Sequence, residues 1–330
     1  MEKKWNIGEL LKTSTAYWRG CALQAGVRLG IFTAINKGSY SLSHIAETIK
    51  ADERGTEYLL NALAAMGLLN KEGDFYSNGS AAREYLSSHS PEYIGHIILH
   101  HHHILDGWAQ LHEAVTQGHP VETRSYGEDV ERESFLMGMF NLAMGIAPAL
   151  VSQIDISDRR RLLDLGGGPG TYAIHFCLAN PELCAVIFDR PTTKPFAMKT
   201  VKRFGLADRI TFQGGDFHRD PIGGPAFDAA WLSHILHSSG PAECRKIIKK
   251  TVAAMEPGGI IMIHEFILDD SKDGPEFPAL FSLNMLVNND DGRSYSEEEI
   301  RSMLEDAGVK NIARHPFQGP NDSSIVCGIV

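Results

Sequence analysis

The chain has 330 residues, of which 43% are hydrophobic and 22% are charged, and its formal net charge is −10 at pH 7. This charge disfavours nucleic acid or an anionic membrane as the main partner, because binding phosphates requires clustered Lys and Arg. No segment approaches the roughly 20 apolar residues of a membrane-spanning helix. The charged start and five scattered cysteines without a C-x-x-C pair predict a cytoplasmic protein with reduced thiols.

Helical spacing of apolar residues predominates in residues 1–150. The segment SLSHIAETIKADERGTEYLLNALAAMGLL predicts two helices, and the short runs around Glu72, Gly73 and Asp74 predict a hairpin. Two helices and a hairpin make a winged-helix pattern. Residues 41–86, however, carry four basic and seven acidic residues, a net charge of −3. That balance favours an interaction domain over a DNA-binding domain.

Four consecutive histidines, residues 100–103, raise the question of a metal site. Four consecutive side chains on a helix fan around its axis and cannot converge on one ion. His96, His100 and His103 do share a helix face, but only Asp106 adds a carboxylate at ligand spacing. We therefore expect a buried or interfacial helix here and predict no metal in the protein.

The pattern changes at about residue 160, where apolar runs alternate with helical stretches. The runs are RLLDLGGG, CAVIFDR, RITFQGGD, FDAAWLS and GGIIMIHEF. This alternation predicts a doubly wound parallel sheet with helices on both faces. The last segment, VKNIARHPFQGPNDSSIVCGIV, predicts two strands that form an antiparallel hairpin at the sheet edge.

A glycine-rich loop follows the first of these strands, in LLDLGGGPGTYA. Asp164 lies at the strand end, and Gly166, Gly168 and Gly170 follow it. Glycines let the backbone turn sharply and approach a ligand, and the next helix offers free N–H groups. An NAD fingerprint would need its third small residue at Thr171, so the spacing fits an S-adenosylmethionine loop better. A tight structural turn is the alternative.

Two further strand ends carry acids. Asp189 ends the second strand, where a carboxylate can accept the ribose hydroxyls of a nucleoside cofactor. Asp216 ends the third strand, where it can receive the adenine amino group while Phe217 flanks the base. Either acid alone could be a solvated loop residue or a helix cap. The loop and the two acids in successive order favour a cofactor site.

These segments resemble the S-adenosylmethionine-dependent O-methyltransferases of the caffeic acid and acetylserotonin type. The matching motifs are FNLAM, LLDLGGGPG, VIFDRP, GGDF, ILH and GGIIMIHEFIL, in the family's order over residues 140–268. The resemblance implies a Rossmann-like methyltransferase sheet preceded by an all-α, winged-helix dimerisation domain. It implies a homodimer, with S-adenosylmethionine as cofactor and S-adenosylhomocysteine as product. We predict domains at residues 1–100, a helical connector at 101–155 that contributes to the substrate pocket, and a catalytic domain at 156–330.

Methyl transfer to a hydroxyl benefits from a base that removes its proton, and histidine suits this task near neutral pH. The family's base is the histidine of its LH pair, which corresponds to His237, with an orienting glutamate that corresponds to Glu265. His234 precedes the base by three residues at the same strand end. If this segment stays extended, the two side chains point to opposite faces, and only one can face the methyl group.

The resemblance implies further contacts for other positions. Met144 would contact the cofactor, and Phe140, Met285 and Asn289 would contact the substrate. Apart from the resemblance, we predict that Ser233 contacts the cofactor and that His234, at the carboxyl end of the fourth strand, contacts the substrate. The family's second glutamate falls near Ser294, where no Glu is present. This departure leaves the strength of the base, and the need for proton abstraction, as open questions.

The leading hypothesis is a metal-independent, homodimeric O-methyltransferase that acts on a small hydroxylated aromatic molecule. One alternative is a homologue that binds S-adenosylmethionine without methylating, such as a decarboxylase, a hydroxylase or a ligand-binding protein. Another is a winged-helix regulator, which the negative charge of its DNA-binding half disfavours.

Overall fold

The computed structural model describes residues 5–224 and 226–330. The predictions made for the first four residues therefore lie outside the described part. The chain forms two compact units. The first comprises the residues up to His103 together with Tyr126–Asn141, and the second comprises Ile104–Ser125 and Leu142–Val330. The boundaries predicted from the sequence, at residues 100 and 155, stay a prediction.

The elements of both units are numbered in chain order. The α-helices are α1 (Ile7–Ser14), α2 (Tyr17–Arg28), α3 (Ile31–Ile35), α4 (Leu42–Ile49), α5 (Glu53–Ala65), α6 (Gly95–His103), α7 (Leu105–Ala109), α8 (Leu111–Gln117), α9 (Glu128–Met144), α10 (Ala147–Val151), α11 (Thr171–Ala179), α12 (Lys194–Arg203), α13 (Pro241–Ala253), α14 (Glu276–Asn288) and α15 (Glu297–Glu305). The strands are β1 (Ser39–Ser41), β2 (Leu69–Glu72), β3 (Phe75–Asn78), β4 (Arg161–Leu165), β5 (Cys184–Asp189), β6 (Ile210–Gly214), β7 (Phe227–Ser233), β8 (Met255–Leu268), β9 (Tyr295–Ser296), β10 (Lys310–Arg314) and β11 (Ser323–Ile329). Short helical turns occupy Ala82–Leu86, Pro191–Thr193, Leu236–Ser238 and Pro320–Asp322. None of the helices in the described ranges combines the length and apolarity needed to cross a bilayer.

The first unit contains the predicted pair of helices and the hairpin. The side chain of Ser41 accepts from the N–H of His44 and caps α4, and Asp52 caps α5 through the N–H of Gly55 (2.8 Å). Strands β2 and β3 pair antiparallel around a two-residue turn, and β1 adds to β3. Buried apolar side chains of α3 and α5 form the core beneath this sheet. The hairpin prediction is confirmed.

The second unit is built on a mixed sheet in the order β10-β11-β8-β7-β4-β5-β6. Strands β4 to β8 run parallel, while β11 pairs antiparallel with β8 and β10 with β11. The five apolar runs of the sequence are these five parallel strands, and the predicted C-terminal hairpin is the pair β10–β11. The strand order reverses between β4 and β7, and ligands of such sheets bind outside the carboxyl ends of the strands at this point.

Two apolar layers cover the sheet, one on each face. One layer includes Tyr172, Phe176 and Trp231, and the other includes Leu232 and Ile247. Helices therefore lie on both sides of the parallel strands, as the continuous apolar runs of the sequence predict. Burying each such side chain contributes about 1.5–3 kcal/mol to folding. This rigid platform holds the loops that follow β4, β5, β6, β7 and β8 at one edge.

Candidate active site

The loop from Gly166 to Gly170 joins β4 to α11 through a tight turn. Gly166, Gly168 and Gly170 have φ angles of +65°, +53° and +80°. A Cβ at Gly166 would lie 2.2 Å from Cδ1 of Ile235, and one at Gly170 would lie 2.4 Å from Cδ1 of Ile187. A Cβ at Gly168 would meet no atom within 4 Å. The loop is therefore packed on its inner side and open at Gly168.

Asp164 lies beneath this loop and is buried. Its carboxylate accepts a hydrogen bond from the N–H of Ala173 (3.2 Å) in the first turn of α11. A Cβ at Gly167 would lie 2.5 Å from this carboxyl group, so the loop passes directly over it. Burial raises the pKa of Asp164 to about 7, although the bond from Ala173 opposes the shift. The acid thus joins the loop to the start of the helix.

The carboxylate of Asp189, at the end of β5, faces the glycine loop. Its Oδ2 accepts from the N–H of Gly168 (2.8 Å), and its Oδ1 accepts from the N–H of Arg190 (2.6 Å) and the hydroxyl of Thr193 (3.1 Å). Burial raises the pKa of Asp189, and the two backbone bonds work against that rise. Thr193, which the sequence analysis did not single out, helps to fix this acid.

Asp216 and Phe217 follow β6, and the ring of Phe217 lies beside the same loop. Oδ1 of Asp216 accepts from the N–H of His218 (2.9 Å), which closes a turn. The Phe217 ring approaches the loop so closely that a Cβ at Gly166 would lie 3.4 Å from its Cε1 atom. The structure therefore brings the glycine loop and the Phe217 ring together at the carboxyl edge of the sheet.

The imidazole of His237 pairs with the carboxylate of Glu265. His237 follows β7 in the turn Leu236–Ser238, and Glu265 lies on β8. Nδ1 of His237 lies 2.8 Å from Oε2 of Glu265. The other carboxylate oxygen accepts from the N–H groups of Leu236 (2.8 Å) and His237 (3.3 Å). The predicted pair is therefore in contact, and three donors hold the carboxylate.

The charge state of Glu265 follows from its surroundings. Its side chain is 2% exposed, and burial acts to raise its pKa. The imidazoles of His237 and His234 outweigh burial and hold the pKa of the carboxyl well below its usual range. Glu265 is therefore an anion that favours a proton on the facing Nδ1 of His237. That tautomer leaves the lone pair of Nε2 free to accept a proton.

His234 lies on the same side of the site as His237, and the expectation that the two face opposite sides is wrong. Nδ1 of His234 lies 3.6 Å from the same Oε2 of Glu265, and the two imidazole centroids are 5.8 Å apart. The reason is the backbone, because His234 has a φ of +57° and Leu236–Ser238 forms a helical turn. The segment is not extended, so the alternation of a strand does not apply.

Two phenylalanine rings, Phe266 and Phe281, pack against the two histidines, and Phe277 packs behind them. The Phe281 ring meets His237 edge-on at 4.9 Å, and the Phe266 ring lies 4.3 Å from that of His234. Phe277 and Phe281 also contact Phe266. The sequence analysis missed this group. The four-residue spacing of two phenylalanines on α14 is the signal that could have indicated a shared face.

The loop that follows α14 is hydrogen-bonded to the main chain of His237. The N–H of Arg293 donates to the carbonyl of His237 (2.8 Å). A Cβ at Gly292 would lie within 3.2 Å of Met285 and Asn289 and 2.8 Å from the same carbonyl. The two predicted substrate residues therefore lie beside the main chain of His237.

Ser294 does not replace the family's second glutamate. Its hydroxyl donates to the carbonyl of Pro278 (2.8 Å), and its N–H donates to the hydroxyl of Ser282 (3.2 Å). The guanidinium of Arg293 pairs with Glu299 (2.8 Å). Glu265 is thus the carboxylate that the described residues place against the imidazole of His237.

Comparison with known proteins decides the family. A family profile described as the O-methyltransferase domain matches residues 101–310, and one for the O-methyltransferase dimerisation domain matches residues 11–88. The chain belongs to the O-methyltransferase family. It is 32% identical to the 3-hydroxy-5-methyl-1-naphthoate 3-O-methyltransferase of Streptomyces sahachiroi, over 97% of this chain and 94% of that protein. It is 30% identical to the N,N-dimethyltransferase OxyT of Streptomyces rimosus, over 91% and 90% of the two chains.

A solved structure of the family has the same fold. PigF with S-adenosylhomocysteine superposes with a TM-score of 0.89 at 27% identity, covering 99% of this chain and 100% of that one. This agreement confirms the predicted methyltransferase fold with its N-terminal helical domain. The predicted family and enzyme class are confirmed as well. S-adenosylmethionine is accordingly the cofactor, as the glycine loop predicts.

The residues of this O-methyltransferase fit an adenosyl cofactor. The loop is open at Gly168, where a ligand can approach the backbone. A carboxylate has about four acceptor positions, and the protein uses three of those on Asp189. At least one position therefore stays available for a ribose hydroxyl. Phe217 offers a flat apolar ring beside the loop, against which the adenine of the cofactor could pack.

The other residues predicted to contact cofactor or substrate have neighbours elsewhere in the chain. The hydroxyl of Ser233 bonds Nδ1 of the buried His264 (2.9 Å). The sulfur of Met144 lies 3.5 Å from Nε2 of His175. His175 lies on α11, the helix that follows the glycine loop. Phe140 is buried in the first unit. Their contacts with cofactor or substrate stay predictions.

Within residues 5–224 and 226–330, one group of side chains has donor atoms placed so that they could surround a metal ion. The group consists of His234, His237 and Glu265. These atoms lie within 4.8 Å of one another. The 2.8 Å separation of His237 and Glu265 is the length of a charge-assisted hydrogen bond. We interpret the group as a hydrogen-bonded pair with a neighbouring imidazole, and the prediction of no metal stays untested.

Proposed function

We propose that the chain transfers the methyl group of S-adenosylmethionine to a hydroxyl of a small aromatic molecule, with His237 as general base. The observation that carries this proposal is the 2.8 Å contact between Nδ1 of His237 and buried Glu265. The pair lies at the carboxyl end of β7, and the glycine loop follows the neighbouring strand β4. Base and cofactor loop therefore share one edge of the sheet.

The cofactor, when bound, supplies a methyl group on a positively charged sulfur. The chain contributes the base. While its Nδ1–H donates to Glu265, His237 accepts the proton of the substrate hydroxyl on Nε2, and the anionic carboxylate stabilises the imidazolium that forms. Such assistance typically accelerates a reaction by roughly 10²–10⁴-fold. Glu265 acts by fixing the tautomer and the orientation of the ring.

The surroundings of the base favour an aromatic acceptor. Phe281 presents an aromatic ring beside His237, and Met285 adds an adaptable thioether on the same helix. The relative from Streptomyces sahachiroi is named for a hydroxylated naphthoate. A flat hydroxylated ring system is therefore the substrate class that these side chains suit.

We also propose that the chain is a homodimer formed by the first unit. A dimerisation profile covers residues 11–88, and α1 buries none of its own residues. Ile7, Leu11 and Trp18 are 77%, 63% and 62% exposed, a large apolar surface for a protein that is not assembled. The helix pair and hairpin then serve assembly rather than DNA recognition. A cytoplasmic location stays a prediction from the sequence.

The function is tested by labelled-methyl transfer to a set of hydroxynaphthalenes. His237→Ala should lower kcat/KM by at least roughly 100-fold, while calorimetry should show that binding of S-adenosylmethionine is retained. Transfer at the wild-type rate in this variant would remove His237 from the mechanism. Cofactor binding without transfer to any hydroxylated acceptor would favour the alternative of a homologue that does not methylate.

A nitrogen acceptor is the second candidate, because OxyT is named an N,N-dimethyltransferase. A neutral amine attacks through its own lone pair and loses its proton afterwards, so it depends less on a base. Aminonaphthalenes should then be methylated at similar rates by the wild type and His237→Ala. A hydroxyl acceptor instead predicts a large difference between the two.

A further inference from the structure

His234 has a backbone conformation that is uncommon for a residue with a side chain. Its φ is +57°, and its N–H donates to the carbonyl of His264 (2.8 Å) as the sheet ends. Strained residues persist where the surrounding structure holds them, and they cluster at functional sites. The consequence of this conformation is that the ring of His234 turns toward Glu265.

The Nδ1 atom of His234 has one polar neighbour of suitable chemistry. It is buried without a hydrogen bond, and Oε2 of Glu265 lies 3.6 Å away. That oxygen accepts from Nδ1 of His237, and a carboxylate oxygen can accept two bonds. Because Glu265 is anionic, a proton on the facing Nδ1 of His234 is favoured. The lone pair of this imidazole is then on Nε2.

The rest of the His234 ring rests on aromatic side chains at the edge of the site. It packs on Phe266 at 4.3 Å and meets His264 edge-on at 4.6 Å. Its side chain is 24% exposed, whereas that of His237 is 14% exposed. Two neighbouring imidazoles thus direct their Nδ1 atoms at one carboxylate, and their Nε2 atoms point away from it.

We propose that His234 determines substrate specificity by accepting a hydrogen bond, through Nε2, from a second hydroxyl of the methyl acceptor. The acceptor would then be an aromatic ring with two neighbouring hydroxyls, one facing each imidazole. His237 takes the proton of the hydroxyl that is methylated, and His234 fixes the other. This inference rests on the proposed function and narrows its substrate class.

The test compares 2,3-dihydroxynaphthalene with 2-naphthol, which lacks the second hydroxyl. The wild type should favour the dihydroxy compound by roughly tenfold or more in kcat/KM, mainly through a lower KM. In His234→Gly, which suits the positive φ, the preference should fall to the twofold expected for two equivalent hydroxyls. Phe266→Leu is the control, because it removes packing beside His234 and keeps both imidazoles. Phe266→Leu should change kcat/KM by the same factor for both substrates and so leave the preference intact.

Each outcome bears on the proposal. A preference of about twofold in the wild type, or a tenfold preference that His234→Gly retains, would overturn the role of His234 and leave the proposed function intact. Loss of the preference in Phe266→Leu as well as His234→Gly would reduce His234 to a packing residue. Binding of S-adenosylmethionine without transfer to either compound would contradict the proposed function, and this inference with it.

Discussion

Glu265 accepts hydrogen bonds from both the ring and the main chain of His237. A glutamine at this position would still accept from the main-chain N–H groups, but its amide would donate to Nδ1. Glu265→Gln should therefore place the imidazole proton on Nε2 and lower kcat for a hydroxyl acceptor by roughly 10²–10⁴-fold. Steady-state kinetics with labelled donor measure this loss.

The same variant should show a change in the pH dependence of stability. The pKa of Glu265 is lower in the folded chain than its ordinary value of 4.5. Its contribution to stability is therefore present above the unfolded pKa and is lost as pH falls through the folded pKa. In urea unfolding at neutral pH, Glu265→Gln should have a lower free energy of unfolding than the wild type. The difference between the two free energies should become smaller in acid. A constant difference at all pH values would contradict this assignment.

Gly170→Ala should weaken the cofactor loop. The new Cβ would meet Cδ1 of Ile187 at 2.4 Å, and the backbone is left-handed. Crowding and backbone strain together should cost about 2–4 kcal/mol of stability and lower the affinity for S-adenosylmethionine. Gly205→Ala is the matched control, because its φ is +70° with no atom within 4 Å of the new Cβ. It should lose only about 1–2 kcal/mol and bind the cofactor normally in calorimetry.

The histidines of α6 should make the first unit sensitive to acid. Burial lowers the pKa of His100 to about 4, and the neighbouring His101 and His103 act in the same direction. Because the unfolded chain takes up this proton near pH 6.5 and the folded chain does not, stability falls as pH decreases from about 6.5 to about 4. The loss is at most about 3 kcal/mol.

Urea unfolding at several pH values tests this account of α6. His100→Leu should flatten the pH dependence of the free energy of unfolding between about pH 6.5 and 4, because it removes the buried titratable group. The leucine keeps an apolar side chain against Phe135. His112→Leu is the control, because the side chain of His112 is 79% exposed. Equal flattening in both variants would show that burial of His100 is not the cause.

Metal removal should leave methyl transfer unchanged. The ring of His237 is oriented by a hydrogen bond to Glu265, so dialysis against a chelator should remove nothing that the proposed base requires. Excess Zn²⁺ should instead inhibit, because an ion on Nδ1 keeps the ring proton on Nε2. Activity lost to the chelator and restored by Zn²⁺, with metal bound in elemental analysis, would show a metal enzyme.

The sheet and the cofactor loop could be predicted from the sequence because their signals are local. Parallel strands buried on both faces appear as continuous apolar runs, and FDAAWLS and CAVIFDR are such runs. Gly166, Gly168 and Gly170 indicate left-handed backbone, and all three have positive φ.

The arrangement of the two histidines could not be predicted in the same way. It depends on a left-handed conformation at His234, which only a few per cent of non-glycine residues adopt. The phenylalanine rings around them depend on how α14 packs against β8. The spacing of Phe277 and Phe281 indicates a shared helix face, but it does not indicate which strand that face meets.

The hydrogen bond from Arg293 to the carbonyl of His237 joins the segment that follows α14, the helix of Met285, to the turn that carries His237. If α14 contacts the acceptor as proposed, a shift of this helix would also displace the imidazole. We therefore expect substitutions on α14 to change selectivity and turnover together. Variants of α14 selected for a new acceptor will need compensating changes at residues 289–293 to restore the rate.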